Sequence, residues 1–294
     1  MVRKFRIFQF LAILAAAAFL NCETIVEVDL PEHQPALVVN GFFSPADGWI
    51  VFLSHSVAAL SNDFPKEVTG ANMEIFEDSA HIATLGELQN GVYFSGIPAP
   101  RPGVEYTLRA SAPGFETVTA SSKLPEIVPI KSVQIESVAG EYGGKRVNLT
   151  VQFEDAEDRK DYYEVFLLGE RSDGSTHILG LKSKDLAITQ NNPDVDLGEE
   201  QEFFGISAMF EDAIVNGKTY DLQISGELFD DETHITVMLS HVDETIFRHL
   251  RTAEFQDIND DNPFSEPSRI FQNVQNGYGV FGGINTAAFR VSVP

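Results

Sequence analysis

The chain opens on a charged start, Arg3, Lys4 and Arg6, followed by a mostly apolar run over 7–20 that only Gln9 interrupts, and then Asn21-Cys22. That order is a secretory leader, and about 14 apolar residues fall short of the roughly 20 that a helix needs to span a bilayer. Beyond it the pattern changes to short alternating runs. Segments 36–42, 49–54, 71–77, 81–85, 92–96, 106–112 and 116–121 read as strands, punctuated by Gly, Pro, Asn and Asp. Met73 and Ile75, and the series Tyr106, Leu108, Ala110, show the period of two that buries one face. Residues 36–124 are therefore expected to form an immunoglobulin-like β-sandwich.

Pro125 and Pro129 bracket a stretch that withholds amide donors from any ladder, so 125–129 reads as a linker. A larger, less regular β domain is expected over 130–294, with strands at 130–138, 146–153, 162–168, 176–181, 203–209, 220–227, 235–239 and 287–293. One helix, near 241–255, is expected from Val242, Ile246, Phe247, Leu250 and Ala253 on one face, with Ser240 and Asp243 spaced as a capping box. Gly103 and Gly217 each open a Gly-x-x-Tyr-x-Leu run, as if a turn glycine launches a similar strand in each half. The fold class is thus mainly β, in two β-rich parts with one helix.

Cysteine and charge then locate the chain. Cys22 is the sole cysteine and directly follows the leader, the position of an acylated thiol. A lone thiol in an oxidising compartment has no partner within the chain, which favours lipidation. The leader is then 1–21, the mature chain begins at Cys22, and the acidic, proline-bounded stretch 22–35 is a tether. The formal charge of −24 becomes −27 once the leader leaves. Such a surface repels phosphate backbones and anionic headgroups, which excludes nucleic acid and leaves the membrane to be held by lipid.

No motif supplies catalysis. Residues 277–282 satisfy G-x-G-x-x-G, but too little chain follows for the helix and strand of a dinucleotide site, so these glycines are expected to permit a bulge or a close backbone approach near Tyr278 and Phe281. Asp257, Asn259 and Asp261 alternate as calcium ligands do, but the run lacks the glycine and glutamate of an EF-hand and reads first as a polar turn ending the helix, so no cofactor is expected. His234, His241 and His249 are the nearest approach to a histidine cluster, and they lack a zinc spacing. No nucleophile elbow exists; residues 205–209 lack the second glycine. Trp49 is the single tryptophan, which argues against an extensive aromatic platform for sugars.

Several stretches together carry a family resemblance: the lipoprotein cysteine, Pro35 to Phe42, Pro102 to Leu108, Asp161-Tyr162-Tyr163, Asn262 to Pro267, and Asn273 to Gly282. The chain resembles the Bacteroidota lipoprotein family catalogued as domain of unknown function 4249. That resemblance implies an outer-membrane lipoprotein beside a TonB-dependent transporter, and it carries over no catalytic residue. Two functions from different classes follow as expectations. One is a non-enzymatic accessory that binds a transporter β-barrel, a nutrient or both. The other is an envelope hydrolase acting on glycans or peptides; surface adhesion is a third.

Overall fold

In the computed structural model, residues 33–58, 61–140, 144–157, 159–191, 202–260 and 269–294 are described, excepting the side chains of 258–260. Cys22, Asp261 and the stretch from Asn262 to Pro267 lie outside them. The chain is mainly β, as its alternation predicts. In order the strands are β1 (Leu37–Ser44), β2 (Gly48–His55), β3 (Asn72–Glu77), β4 (Ala80–Gln89), β5 (Val92–Ser95), β6 (Glu105–Ser111), β7 (Val118–Lys123), β8 (Ile130–Ala139) and β9 (Lys145–Glu154). They continue with β10 (Tyr162–Arg171), β11 (Thr176–Leu179), β12 (Leu181–Ser183), β13 (Phe203–Gly205), β14 (Ser207–Glu211), β15 (Thr219–Leu228), β16 (Glu232–Val242), β17 (Val274–Gln275) and β18 (Tyr278–Ser292). A one-turn helix, Leu186–Thr189, and a long helix, Glu244–Asp260, complete the elements.

Alternation decides which face each strand buries. In β1, Leu37, Val39 and Phe43 point inward beside Gly41, and in β2 Trp49, Val51 and Leu53 do the same. They meet Met73, Ile75, Tyr106 and Leu108 from the opposing strands in one core. Its centre is aromatic: Phe43 lies 5.1 Å from Trp49 and 4.8 Å from Phe281, and Trp49 meets Tyr106 edge-on at 4.8 Å. The Trp49 indole N–H, buried with the ring, donates to the carbonyl of Pro98 at 2.8 Å, so the ring is satisfied as well as packed. β4 serves both walls of this core, because its first half pairs with β3 and its last residues pair with β5.

A second core lies between β10, β14 and β16 on one side and β9, β12, β13 and β15 on the other, built from residues such as Val151, Phe153, Tyr163, Leu181, Phe210, Leu222 and Val237. Five strands in the order β13-β12-β15-β9-β8 form one wall. The other wall belongs to a continuous hydrogen-bonded path, β11-β10-β16-β18-β1-β2-β5-β4-β3-β6-β7-β17, with β14 also on β10. β18 is the strand common to both parts. Its first residues run parallel to β1, and its remainder runs antiparallel to β16.

Three local expectations need correction. The runs 176–181 and 203–209 are each broken into two strands, at Gly180 and Ile206. β11 and β14 pair with β10 while β12 and β13 pair with each other in the opposite sheet, so the chain crosses between sheets at both points. The last strand begins at Tyr278 rather than near 287, since the glycines that break its hydrophobic pattern still join the ladder with β1. The cap of the long helix is Asp243, not Ser240. The Asp243 carboxylate accepts the amide of Ile246 at 2.9 Å, while Ser240 is a β16 residue whose hydroxyl meets that of Thr286 at 2.9 Å. Val242 before the cap and Phe247 after it share one cluster with Tyr162 and Val280, a hydrophobic staple that seats the helix on the sheet.

Candidate functional site

A cleft of about 520 Å³ lies at the junction of the two β parts. The connection after β7 supplies Leu124, Pro125 and Glu126; the approach to β10 supplies Arg159, Lys160 and Asp161; the end of β16 supplies His241; and the helix cap supplies Asp243. The alternation of β10 and β16 turns Asp161 and His241 inward beneath the cleft, where both are almost fully buried. The His241 Nε2 lies 3.2 Å from Asp161 Oδ1, and its Nδ1 lies 2.8 Å from the carbonyl oxygen of Glu126. The Arg159 Nε donates to both oxygens of Asp161, at 2.7 and 2.8 Å. Behind them the Tyr163 hydroxyl donates to Asp155, the Asp161 amide donates to Asp212 at 2.9 Å, and the Gly217 amide donates to Asp155 at 2.9 Å.

These contacts set the local electrostatics. Burial pushes the Asp161 carboxyl up, but the His241 hydrogen bond and the Arg159 pair outweigh it and hold the group below the ordinary carboxylate range. Asp212 is raised, first by burial and then by the charges of Asp155 and Asp161, against the opposing hydrogen bond from the Asp161 amide. Burial and Asp155 together push the Tyr163 hydroxyl up. Asp243 is raised by burial although Thr245, Ile246 and Gly283 all donate to it. Chemically the cluster is saturated: both oxygens of Asp161 and both ring nitrogens of His241 are engaged. It ties the 125–129 connection to the second β part, and Asn285 adds a bond from its side chain to the Pro125 carbonyl at 3.0 Å.

A different surface is open. On the outer face of the first sheet, Phe52 is 47% exposed and Phe94 39% exposed. Register places Ile50 opposite Phe94 and Phe52 opposite Val92, so the four make one apolar strip across β2 and β5. Asn40 of β1 stands beside Phe52 and borders a groove of about 410 Å³ lined also by Val38, Ile270, Phe271 and Tyr278. The long helix covers the neighbouring part of the same face at β18 and Phe42, and leaves the strip on β2 and β5 bare.

The other sequence candidates fall apart in space. His234 and His241 share β16 at an odd separation, hence on opposite faces. His249, on the long helix, has its Nδ1 2.6 Å from the carbonyl oxygen of Phe271. Asp257 and Asn259 stand within the helix rather than in a loop, and Asp261 is outside the described residues. Among the described residues no group of three or more His, Cys, Asp or Glu side chains is placed to hold a metal ion. The glycines of 277–282 allow close approach: a Cβ on Gly279, whose φ is +100°, would stand 1.9 Å from the Val39 carbonyl oxygen, and one on Gly282 would meet Ile246 at 2.3 Å. Gly103 and Gly217 both have positive φ and stand two residues ahead of β6 and β15.

Sequence reading missed the Asp155, Asp161, Asp212 and His241 cluster, because its members come from separate segments and no spacing joins them. It also missed the apolar strip, whose residues alternate as any strand does.

Among the described residues no helix is long and apolar enough to cross a membrane. No curated protein matches the chain. Among solved structures, a chain of the one described as "Complete structure of manganese lipoxygenase of Gaeumannomyces graminis and partial structure of zonadhesin of Komagataella pastoris" aligns at 10% identity over 70% of this chain and 88% of that chain, with a TM-score of 0.20, a likeness that carries no argument. A family match extends over residues 23–290, nearly the whole chain, and the protein accordingly belongs to the family described as Domain of unknown function (DUF4249).

Proposed function

We propose that the protein is an exported, lipid-anchored envelope protein that acts as a non-enzymatic binding component, docking beside a TonB-dependent transporter barrel at the outer membrane. The leader and Cys22 support the anchoring. The observation that carries the binding role is the bare strip of Ile50, Phe52, Val92 and Phe94 beside the part of the same sheet face that the long helix covers. Contiguous exposed apolar surface of this kind marks contact sites, and aromatic side chains dominate the energetics of such contacts. The cleft supports the same reading, since its buried carboxylates are spent on structural bonds.

The test is affinity purification of the intact lipoprotein from its own envelope, beside a variant carrying Phe52→Glu and Phe94→Glu. A large β-barrel is expected to co-purify with the natural chain and to be lost from the variant, while both chains give the same thermal melt. Equal recovery of the barrel by both chains refutes the strip as the docking face. Absence of any barrel from the natural chain refutes the partner.

A further inference from the structure

One end of the first β part gathers exposed apolar side chains around the point where the chain enters the fold. Ala36 is fixed there by reciprocal bonds with Ser56: its amide donates to the Ser56 hydroxyl at 3.0 Å, and the Ser56 amide donates to its carbonyl at 2.9 Å. The loop after β2 folds back at the same place, since the His55 amide donates to the Lys66 carbonyl and the Val68 amide to the Leu53 carbonyl. This loop carries Phe64, which is 84% exposed. The β4–β5 turn is held beside it on β2, because the Leu53 amide donates to the Gly91 carbonyl at 2.7 Å, and the end of β4 that leads into this turn carries Leu88, bulged from the ladder and 71% exposed. Tyr278, opposite Val38 at the start of β1, is 48% exposed at the same end.

We infer that this end rests on the bilayer that holds the anchor, with Phe64 and Leu88 seated at the boundary between headgroups and acyl chains. The inference rests on the lipid-anchor reading of Cys22 and adds to it an orientation and a contact. From Cys22 to Ala36 a fully extended chain reaches at most about 50 Å, so the body stays close to the membrane, and the end that receives the tether is drawn nearest to it. A tether also makes the contact intramolecular, so that two loop-tip side chains too weak to recruit a free protein can be well populated. The charges around the loops choose the lipid. Asp63, Glu67 and Glu87 outnumber Lys66 in these segments, which suits zwitterionic headgroups with an outward amine and opposes an anionic surface.

The acylated protein with Phe64→Trp, reconstituted into phosphatidylcholine vesicles with brominated acyl chains, tests this. Sedimentation with the vesicles reports the anchor, and quenching reports the contact. The introduced indole is expected to lose most of its emission and to shift to the blue, while Trp49, buried in the core, gives the unquenched background of the natural chain. Replacing much of the phosphatidylcholine by phosphatidylglycerol with the same brominated acyl chains should restore the emission. Adding Leu88→Ser should also restore it, with the melt unchanged. A chain that sediments with vesicles but leaves the introduced indole unquenched overturns the membrane contact and leaves the anchor standing. If that indole is instead shielded only when a protein barrel is present, the loops dock on protein and the inference fails. A chain that does not sediment overturns anchor and contact together.

Discussion

Asp161 shows how one side chain takes its meaning from neighbours far away in sequence. Arg159 holds both its oxygens, His241 adds a third contact, and the remaining face of His241 is fixed by the carbonyl of Glu126. A buried charge that loses its partner costs about 3 kcal/mol or more, so Asp161→Asn is expected to destabilise the fold by about 3 kcal/mol at pH 7. The sign with pH follows from the depressed carboxyl. Its stabilisation is complete above the ordinary aspartate value of about 4 and fades as pH falls through the lower value of the folded state. Urea midpoints of the natural chain and the variant should therefore converge on acidification below about pH 4. An equal gap at pH 7 and pH 3 would show that the network stabilises by shape alone.

At the scale of elements, the long helix is the informative case. Periodicity located it and its buried face, and Val242, Ile246 and Phe247 pack as expected. Leu250, the next residue on that face, is already 37% exposed and lies outside that cluster. The cap was less legible, since Ser240 and Asp243 are both good cap residues and only strand β16, continuing to Val242, decides between them. Asp243 also receives the Gly283 amide at 3.2 Å, so it joins the helix start to β18. Asp243→Ala is expected to cost about 2 kcal/mol and to fray the first turn, and Ser240→Ala about 1 kcal/mol or less. Thermal melts with far-ultraviolet circular dichroism compare the two. A larger loss for Ser240→Ala would mean that the cap is misassigned.

At the scale of the molecule, β18 makes the two cores interdependent. Its Phe281 sits fully buried among Phe43, Gly41 and Val51 in the first core, while its later residues pair with β16 over the second. β17 closes the first part by pairing with β7. A fragment of residues 35–124 therefore lacks both closing strands and an aromatic side chain whose loss alone costs about 3–5 kcal/mol. It is expected to show no cooperative urea transition in the near-ultraviolet signal of Trp49, whereas 35–294 shows one. A sharp transition in the short fragment would mean that the first core is complete without β18.

The strands themselves were legible because burial on one face writes a period of two into any half-buried strand, and that signal is local. Turn glycines were legible for a related reason: Gly103 and Gly217 need positive φ wherever the rest of the chain goes. The basic start, the apolar run after it and the single cysteine are likewise matters of composition and order. Tertiary structure alone decided the remainder. The splits at Gly180 and Ile206, the parallel pairing of β18 with β1, the convergence of Asp155, Asp161, Asp212 and His241, and the bare strip at Phe52 and Phe94 all depend on which segments become neighbours. Periodicity records which face of a strand is buried, but the identity of its neighbour is set by closing long loops and filling a shared core, and leaves no spacing in the sequence.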